Sequence, residues 1–256
     1  MELSGFSFNI LLILFFVAIL AGFLDTLAGG GGLITVPALM ISGIPPLAAL
    51  GTNKLQGSMG TATSTFMMLK HRRIKWTDVK ILMLFSFIGS ALGSIAVQFI
   101  NTATLSFAIP LALLFIAIYF IISPTPAHIE KKPRLSKKTY QSSVVPLIAC
   151  YDGMFGPATG SFFSLAGVSL RGHSLINATA FAKALNFSSN IASLIVFLFA
   201  GQVVLLFGIV MMLGQAIGAW LGSHYLFKIN PLHLRLLIVS VSIIMLMKYA
   251  SDIGWI

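Results

Sequence analysis

The sequence predicts an all-α polytopic membrane protein built from two inverted repeats of about five segments each, with broken or re-entrant helices. Three observations predict it. The 256 residues are 57% apolar and only 9% charged, whereas soluble domains carry about 25% charged residues. Apolar runs of about 20 residues, the length that crosses a bilayer, recur along the chain. The chain also matches itself when displaced by 129 residues. The first observation excludes soluble enzymes, DNA-binding domains and disordered proteins, because too little polar surface exists to face water.

Taken in order, the spacing predicts helices over Phe6–Leu24, Ile81–Ile100, Thr104–Ile122 and Val203–Phe227. Leu47–Leu69 and Leu175–Ala200 are also spans, each carrying one lysine, Lys54 and Lys183, and Pro231–Met247 is the last, with Arg235 near its start. Leu33–Ile44, Val144–Tyr151 and Phe155–Leu170 are short and bounded by Gly and Pro. They read as half-helices or re-entrant segments, which a membrane tolerates only where protein or a water-filled cavity satisfies the backbone. The N-terminal run reads as a span and not as a secretory signal: Glu2 precedes it, no Lys or Arg does, and no small-x-small site closes it. The single Cys150 excludes a disulfide framework and a cysteine-rich metal site.

The 16 basic and 6 acidic residues give a net charge of +10. In a soluble chain that excess would suggest nucleic acid; here it fills short loops. Lys70, Arg72, Arg73, Lys75 and Lys80 surround one turn, and Lys131, Lys132, Arg134, Lys137 and Lys138 lie in the longest loop. Both are expected to be cytoplasmic. Two spans separate them, so the parities agree. Counting the short segments as crossings places both termini outside and thirteen of the sixteen basic residues on the cytoplasmic side, with Lys248 as the dissenter.

The displacement of 129 aligns Lys54 with Lys183, Gly89 with Gly218, Gly93 with Gly222 and Ser94 with Ser223; a displacement of 127 aligns Asp25 with Asp152 and Gly29 with Gly156. The implied organisation is a first repeat over 1–123, a basic cytoplasmic linker over 124–140 and a second repeat over 141–256. An odd number of segments per copy inverts the second copy in the membrane, the plan of many secondary transporters, whose sites lie near midplane between repeats.

Two glycine-rich breaks carry the candidate chemistry. In the first, Asp25 and Thr26 precede Gly29, Gly30, Gly31 and Gly32; in the second, Asp152 and Gly153 precede Gly156 and Gly160. Four consecutive glycines disfavour a helix interior. The amides of a helix restarting beyond them would favour an anion. Neither a dinucleotide fingerprint nor a P-loop fits, since Thr35 stands where the third glycine of the former falls and no lysine follows as in the latter. Glycines could also serve close helix packing alone. A mid-membrane lysine costs roughly 2.5–3.5 kcal/mol on insertion scales, so Lys54 and Lys183 need a partner. Two readings stand open. Each lysine pairs structurally with Asp25 or Asp152, or each faces a central anion, with Thr52, Asn53, Gln56, Asn186 and Asn190 as donors. In either reading the two breaks are expected to face each other near midplane around a shared polar cavity. The series from Gly89 to Gly93 and from Gly214 through Gly218 to Gly222 are packing contacts. The histidines have no ligand-like spacing and no serine or threonine has a His–Asp partner, so neither metal nor nucleophile is expected.

At these motifs the chain resembles the sulfite exporter TauE/SafE family. The residues carrying the likeness run from Ala21 through Asp25 and Gly29–Gly32 to Pro37 and Leu39, then Thr52, Asn53, Lys54 and Gln56. In the second half they are Tyr151–Ser161 and the Lys183, Asn186, Ser189 and Asn190 helix. The likeness runs over nearly the whole chain. It implies movement of sulfite or an organosulfur anion such as a sulfonate across a bacterial inner membrane. One departure, Gly156-Pro157-Ala158-Thr159-Gly160 where some members keep more glycines, leaves the substrate's identity open.

The expected function is thus secondary transport of a small anion, with an anion channel or a non-transporting membrane-embedded enzyme or subunit as alternatives. No enzymatic activity, cofactor, metal or nucleic-acid partner is expected. The expected partners are the small anionic substrate and membrane lipid, and a homodimer and a coupling proton or sodium ion are compatible with the reading. Reporter fusions within the Ser136 loop and after Ile256 test the topology. They should report a cytoplasmic loop and an external C-terminus, and a cytoplasmic C-terminus would contradict the five-plus-five plan.

Overall fold

The computed structural model describes residues 8–122, 132–225, 231–252 and 254. Expectations that rest on Phe6, on Pro124–Lys131, on Lys228 or on the side chain of Arg235 lie outside the described residues. All regular structure among the described residues is helical. The first half contains α1 (Phe8–Ala28), α2 (Gly32–Ile41), α3 (Pro46–Lys70), α4 (Trp76–Val97) and α5 (Thr102–Ile122). In the second half a helical turn at Lys137–Thr139 and a π-turn at Tyr140–Val144 lead into α6 (Val145–Met154). Then follow α7 (Thr159–Arg171), α8 (Leu175–Phe199), α9 (Leu205–Tyr225) and α10 (Pro231–Asp252). Among the described residues, five helices are long and apolar enough to cross a membrane: α1, α4, α5, α8 and α9. Phe16, Ile88, Leu92, Leu213 and Trp220 stand exposed on their outer faces, where a water-soluble protein would carry charge. The chain is a multi-pass membrane protein.

Two expectations shift in detail. The first helix does not stop at Leu24 but runs on to Ala28, so Asp25 sits in its last turns and not in the break. Asp152 likewise lies inside α6. The breaks themselves are only Gly29–Gly31 and Phe155–Ala158, and the latter turns through positive φ at Gly156 and Ala158. At 1.5 Å per residue, α2 with 10 residues and α7 with 13 residues are too short to span about 30 Å of hydrocarbon alone.

Side-chain contacts fix how the helices run. A Cβ on Gly214, Gly218 or Gly222 of α9 would collide with the backbone carbonyls of Phe15, Ile19 and Phe23 of α1 respectively, so the two helices are parallel and in close backbone contact. A Cβ on Gly89 or Gly93 of α4 would meet the carbonyls of Pro146 and Cys150 of α6 in the same way. The two contacts exchange under the same displacements as the sequence match: Gly89 over Pro146 becomes Gly218 over Ile19, and Gly93 over Cys150 becomes Gly222 over Phe23. The middle of the molecule is the antiparallel pair α3 and α8. Gly51 lies against Gln202, Gly57 against Asn190, and Met68 clusters with Ala180 and Ala184. Small residues let these backbones approach where no hydrophobic driving force separates helix from lipid.

Hydroxyls tie the layers together. Ser86 donates to the carbonyl of Leu185 at 2.8 Å, Ser90 to that of Ser189 at 2.8 Å, and Ser188 to that of Met83 at 2.6 Å, which locks α4 alongside α8. Asp78 at the start of α4 and Lys137 before α6 line one cavity, so the two basic loops share one side of the molecule. The parallel run of α1 and α9, and the hydrogen bond between Tyr249 near the end of α10 and Ser106 near the start of α5, put the start of α1 and the end of α10 on the opposite side.

Candidate functional site

The two mid-membrane lysines are buried to 1% exposure and each is paired across the molecule. Lys54 on α3 donates to the Asp152 carboxylate (Oδ1) at 2.9 Å and to the Asp152 backbone carbonyl at 2.5 Å. Lys183 on α8 lies 3.6 Å from the Asp25 carboxylate (Oδ2) and donates to the Asp25 backbone carbonyl. Each ammonium therefore meets one carboxylate and one carbonyl near a helix end, and both come from the other half of the chain. Helix α6 ends beside Lys54, which supplies a donor to the Asp152 carbonyl; the Asp25 carbonyl near the end of α1 accepts from the Gly29 amide at 2.6 Å and from Lys183 as well.

The carboxylates are held in turn by the breaks. Asp25 accepts from the Gly31 amide at 3.2 Å. Asp152 accepts from Thr159 Oγ1 at 2.8 Å, and Thr159 also donates to the Gly156 carbonyl. Part of the anion-binding capacity expected of the restarting helices is thus filled by the protein's own aspartates. The second oxygen of Asp152 (Oδ2) is buried without a hydrogen-bond partner. The pairs differ in tightness. Asp152 is 1% exposed and Asp25, in the longer pair, 12%.

The two breaks touch. A Cβ on Gly29, which has φ +74°, would run into the Gly160–Ser161 backbone, and one on Gly160 would lie 2.9 Å from the Gly29 Cα. Gly32 packs on Pro157, and Ser161 Oγ donates to the Ala28 carbonyl. No polar cavity separates the breaks at this point. Glycine is required here for close approach, and at Gly29 and Gly156 also for positive φ. A Cβ on Gly156 would sit 3.0 Å from Lys54 Nζ, so the second break crosses directly over that ammonium.

Most of the residues singled out from sequence gather here: Asp25, Gly29, Gly31 and Gly32 from the first break, Asp152, Gly156 and Gly160 from the second, and Lys54 and Lys183 between them. Gly30 is buried in the same turn. Asn186 lies beside Gly160 and accepts from Asn190 at 3.3 Å, and Asn190 faces Gly57. Asn53 accepts from Thr35 at 2.6 Å and from Gln56 at 2.8 Å, which leaves the Gln56 carbonyl oxygen buried and unpartnered. Three point elsewhere. Thr26 bonds Ser64 on α3 at 2.8 Å, Thr52 accepts from the Val204 amide at 3.0 Å in the loop before α9, and Gly153 packs against Ser90 and Ser94 of α4. Thr35, Thr159 and Ser161 are new to the site. Hydroxyl residues in the first turns after a break are the signal that marks them, because such side chains commonly satisfy helix-end groups.

Compared with known proteins, residues 14–249 match the family model described as "Sulfite exporter TauE/SafE". The chain is 41% identical over 247 residues to a "Probable membrane transporter protein" of Haemophilus influenzae, covering 96% of this chain and 97% of that one. It is 39% identical over 250 residues to "Probable membrane transporter protein ORF9" of Sinorhizobium sp, covering 98% and 96%. It is also 39% identical over 240 residues to "Probable membrane transporter protein YfcA" of Escherichia coli strain K12, covering 94% and 89%. No solved structure matches the chain.

The pairing geometry predicts the stability of variants. Lys54→Met alone strands the buried Asp152 carboxylate and should cost about 3–5 kcal/mol. Lys54→Met combined with Asp152→Asn should regain most of that, because no unpaired charge is left. Lys183→Met should cost less, since Asp25 is the more exposed partner. Thermal unfolding in detergent checks the order, and a Lys54→Met protein as stable as the parent would contradict it.

Proposed function

The chain belongs to the sulfite exporter TauE/SafE family and is a membrane transporter; from that premise we propose that it is a secondary transporter of a small anion, sulfite or an organosulfonate, in a bacterial inner membrane. Its relatives are described as membrane transporters and not as enzymes. The division into a repeat over 1–123, a basic linker over 124–140 and an inverted repeat over 141–256 is part of this reading. Its support is the exchange of the glycine contacts between halves.

The observation that carries the reading is the crossed pair of ion pairs, Lys54 with Asp152 and Lys183 with Asp25. As long as both aspartates are ionised, neither lysine has charge to spare for a substrate. Protonating an aspartate leaves its lysine an uncompensated cation in a medium of low dielectric, a state that an arriving anion relieves. The site then holds a neutral carboxyl, an ammonium and an anion in place of an ammonium and a carboxylate. One proton and one negative charge have entered together, and the net charge buried in the membrane is unchanged. The unpartnered Asp152 Oδ2 offers a place for such a proton.

The substrate-binding residues in this reading are Lys54, Lys183 and the break residues around them, with Asn186 and Asn190 on α8 as further donors. Both lysines reach a point where the two broken hairpins meet, the kind of place between repeats where secondary transporters keep their sites. The pyramidal SO3 group of sulfite or of a sulfonate head offers three oxygens to these donors.

A thermal-stabilisation series on purified protein with sulfite, sulfonates, carboxylates and phosphate tests the substrate class. The sulfur oxyanions should raise the melting temperature most. Lys183→Met, which keeps the tighter pair, should bind the best of them about tenfold to a hundredfold more weakly, the effect of losing one charged hydrogen bond. Equal stabilisation by every anion, or none by sulfur oxyanions, would contradict the reading.

A further inference from the structure

A cavity of about 260 Å³ lies on the side of the molecule that carries the basic loops, away from the ion pairs. Its charged lining is Lys137, Arg171 and Asp78. Its apolar wall is Leu82, Phe163, Phe181 and Leu185. Lys137 and Asp78 are exposed at its mouth, while Arg171, at the end of α7, is half-buried and donates through Nη1 to the Leu135 carbonyl at 2.5 Å. That bond leaves the rest of the guanidinium fork, whose donors are fixed in one plane. The His173 ring stacks on Phe181 with centroids 5.1 Å apart and planes 7° from parallel, which stiffens the aromatic wall. Tyr140, in the linker before α6, completes the lining; burial pushes its phenol up to about 12, so its hydroxyl remains neutral.

The fold alone does not demand this space. The displacement of 129 residues relates Asp78 to Phe207 and Leu82 to Met211. Both of these are fully buried in the apolar cluster at the opposite end. One end is thus filled by large apolar side chains where the other keeps a charged, partly apolar hollow. Two of its lining residues neighbour the central site's in the chain: Leu185 precedes Asn186, and Phe163 is one turn beyond Gly160.

We propose that this cavity is a second anion site in front of the central one, in which Arg171 and Lys137 hold the charged head of a small organic anion while Phe163, Phe181 and Leu185 take its apolar part. Two cations against one exposed carboxylate favour a monoanion, and the apolar wall distinguishes an anion with an organic group from a bare inorganic one. The site rests on the reading of the chain as an anion transporter and adds to it a station on the side of the basic loops.

The test is equilibrium binding of benzenesulfonate and of sulfite to the purified full-length protein in detergent at low salt. Benzenesulfonate should bind more tightly than sulfite. Arg171→Gln should weaken benzenesulfonate at least tenfold. Phe181→Ala should weaken benzenesulfonate and leave sulfite unchanged. Because Arg171 also braces the linker, Lys137→Gln on an exposed side chain serves as the second variant; it should weaken benzenesulfonate about threefold with no change in melting temperature. In the Lys54→Met, Asp152→Asn double variant benzenesulfonate should still bind, and Arg171→Gln added to it should still weaken that binding at least tenfold. Benzenesulfonate binding that is unchanged in both Arg171→Gln and Lys137→Gln, or lost in the double variant, would overturn the site. Intact benzenesulfonate binding in a protein that moves no anion would instead overturn the transport reading and leave the site standing.

Discussion

A lysine in the hydrocarbon layer must have a negative partner, and in this protein the partner always comes from the other half of the chain. Lys54 finds Asp152 and Lys183 finds Asp25. Much of the interior follows from that exchange. For each aspartate to reach across, the helix carrying it has to end where the opposite lysine lies, which sets the positions of the breaks at Gly29 and Phe155. For the two broken hairpins to meet, the residues at the crossing have to lack side chains, and Gly29, Gly32, Gly156 and Gly160 stand there. For the halves to hold those ends in register, α1 must pack on α9 and α4 on α6 at backbone distance, which the glycines of α4 and α9 permit.

The two pairs are related by the repeat but are not equal. The outer lysine, nine residues into α3, is held at 2.9 Å by a carboxylate that is 1% exposed; the inner one, nine residues into α8, sits 3.6 Å from one that is 12% exposed. The looser pair is the one nearer the basic loops, and the same side holds the open cavity beneath Arg171. Looseness and space on one side match tightness and filled packing on the other. This arrangement suits a protein whose site is approached from the side of the basic loops.

Composition, run length and basic loops made the membrane class, the helices and the common side of the two basic loops legible, because a bilayer imposes length and charge rules that show in single residues. The cross-chain pairing had its signal in rare residues: two lysines and two aspartates at matching spacing carry information that matched leucines do not. Two features were not legible. Helix α1 continues to Ala28 because the preceding run has no breaker and Asp25 finds both a lysine and the Gly31 amide, and that tertiary partner cannot be seen in the sequence. The diversion of Thr52 to the Val204 amide and of Thr26 to Ser64 is of the same kind. Spacing places a hydroxyl near a site, and only packing decides which of its neighbours it bonds.

In the proposed cycle an anion gains its lysine by way of a protonated aspartate, so anion and proton move together. The direct measurement uses proteoliposomes with a pH indicator inside and the membrane potential clamped by potassium and an ionophore. Methanesulfonate is supplied outside, an anion whose own acid stays ionised and carries no proton. The account predicts that methanesulfonate entry acidifies the lumen in proportion to the anion taken up, and that Asp152→Asn abolishes the acidification. Uptake of methanesulfonate with no change in internal pH would contradict it.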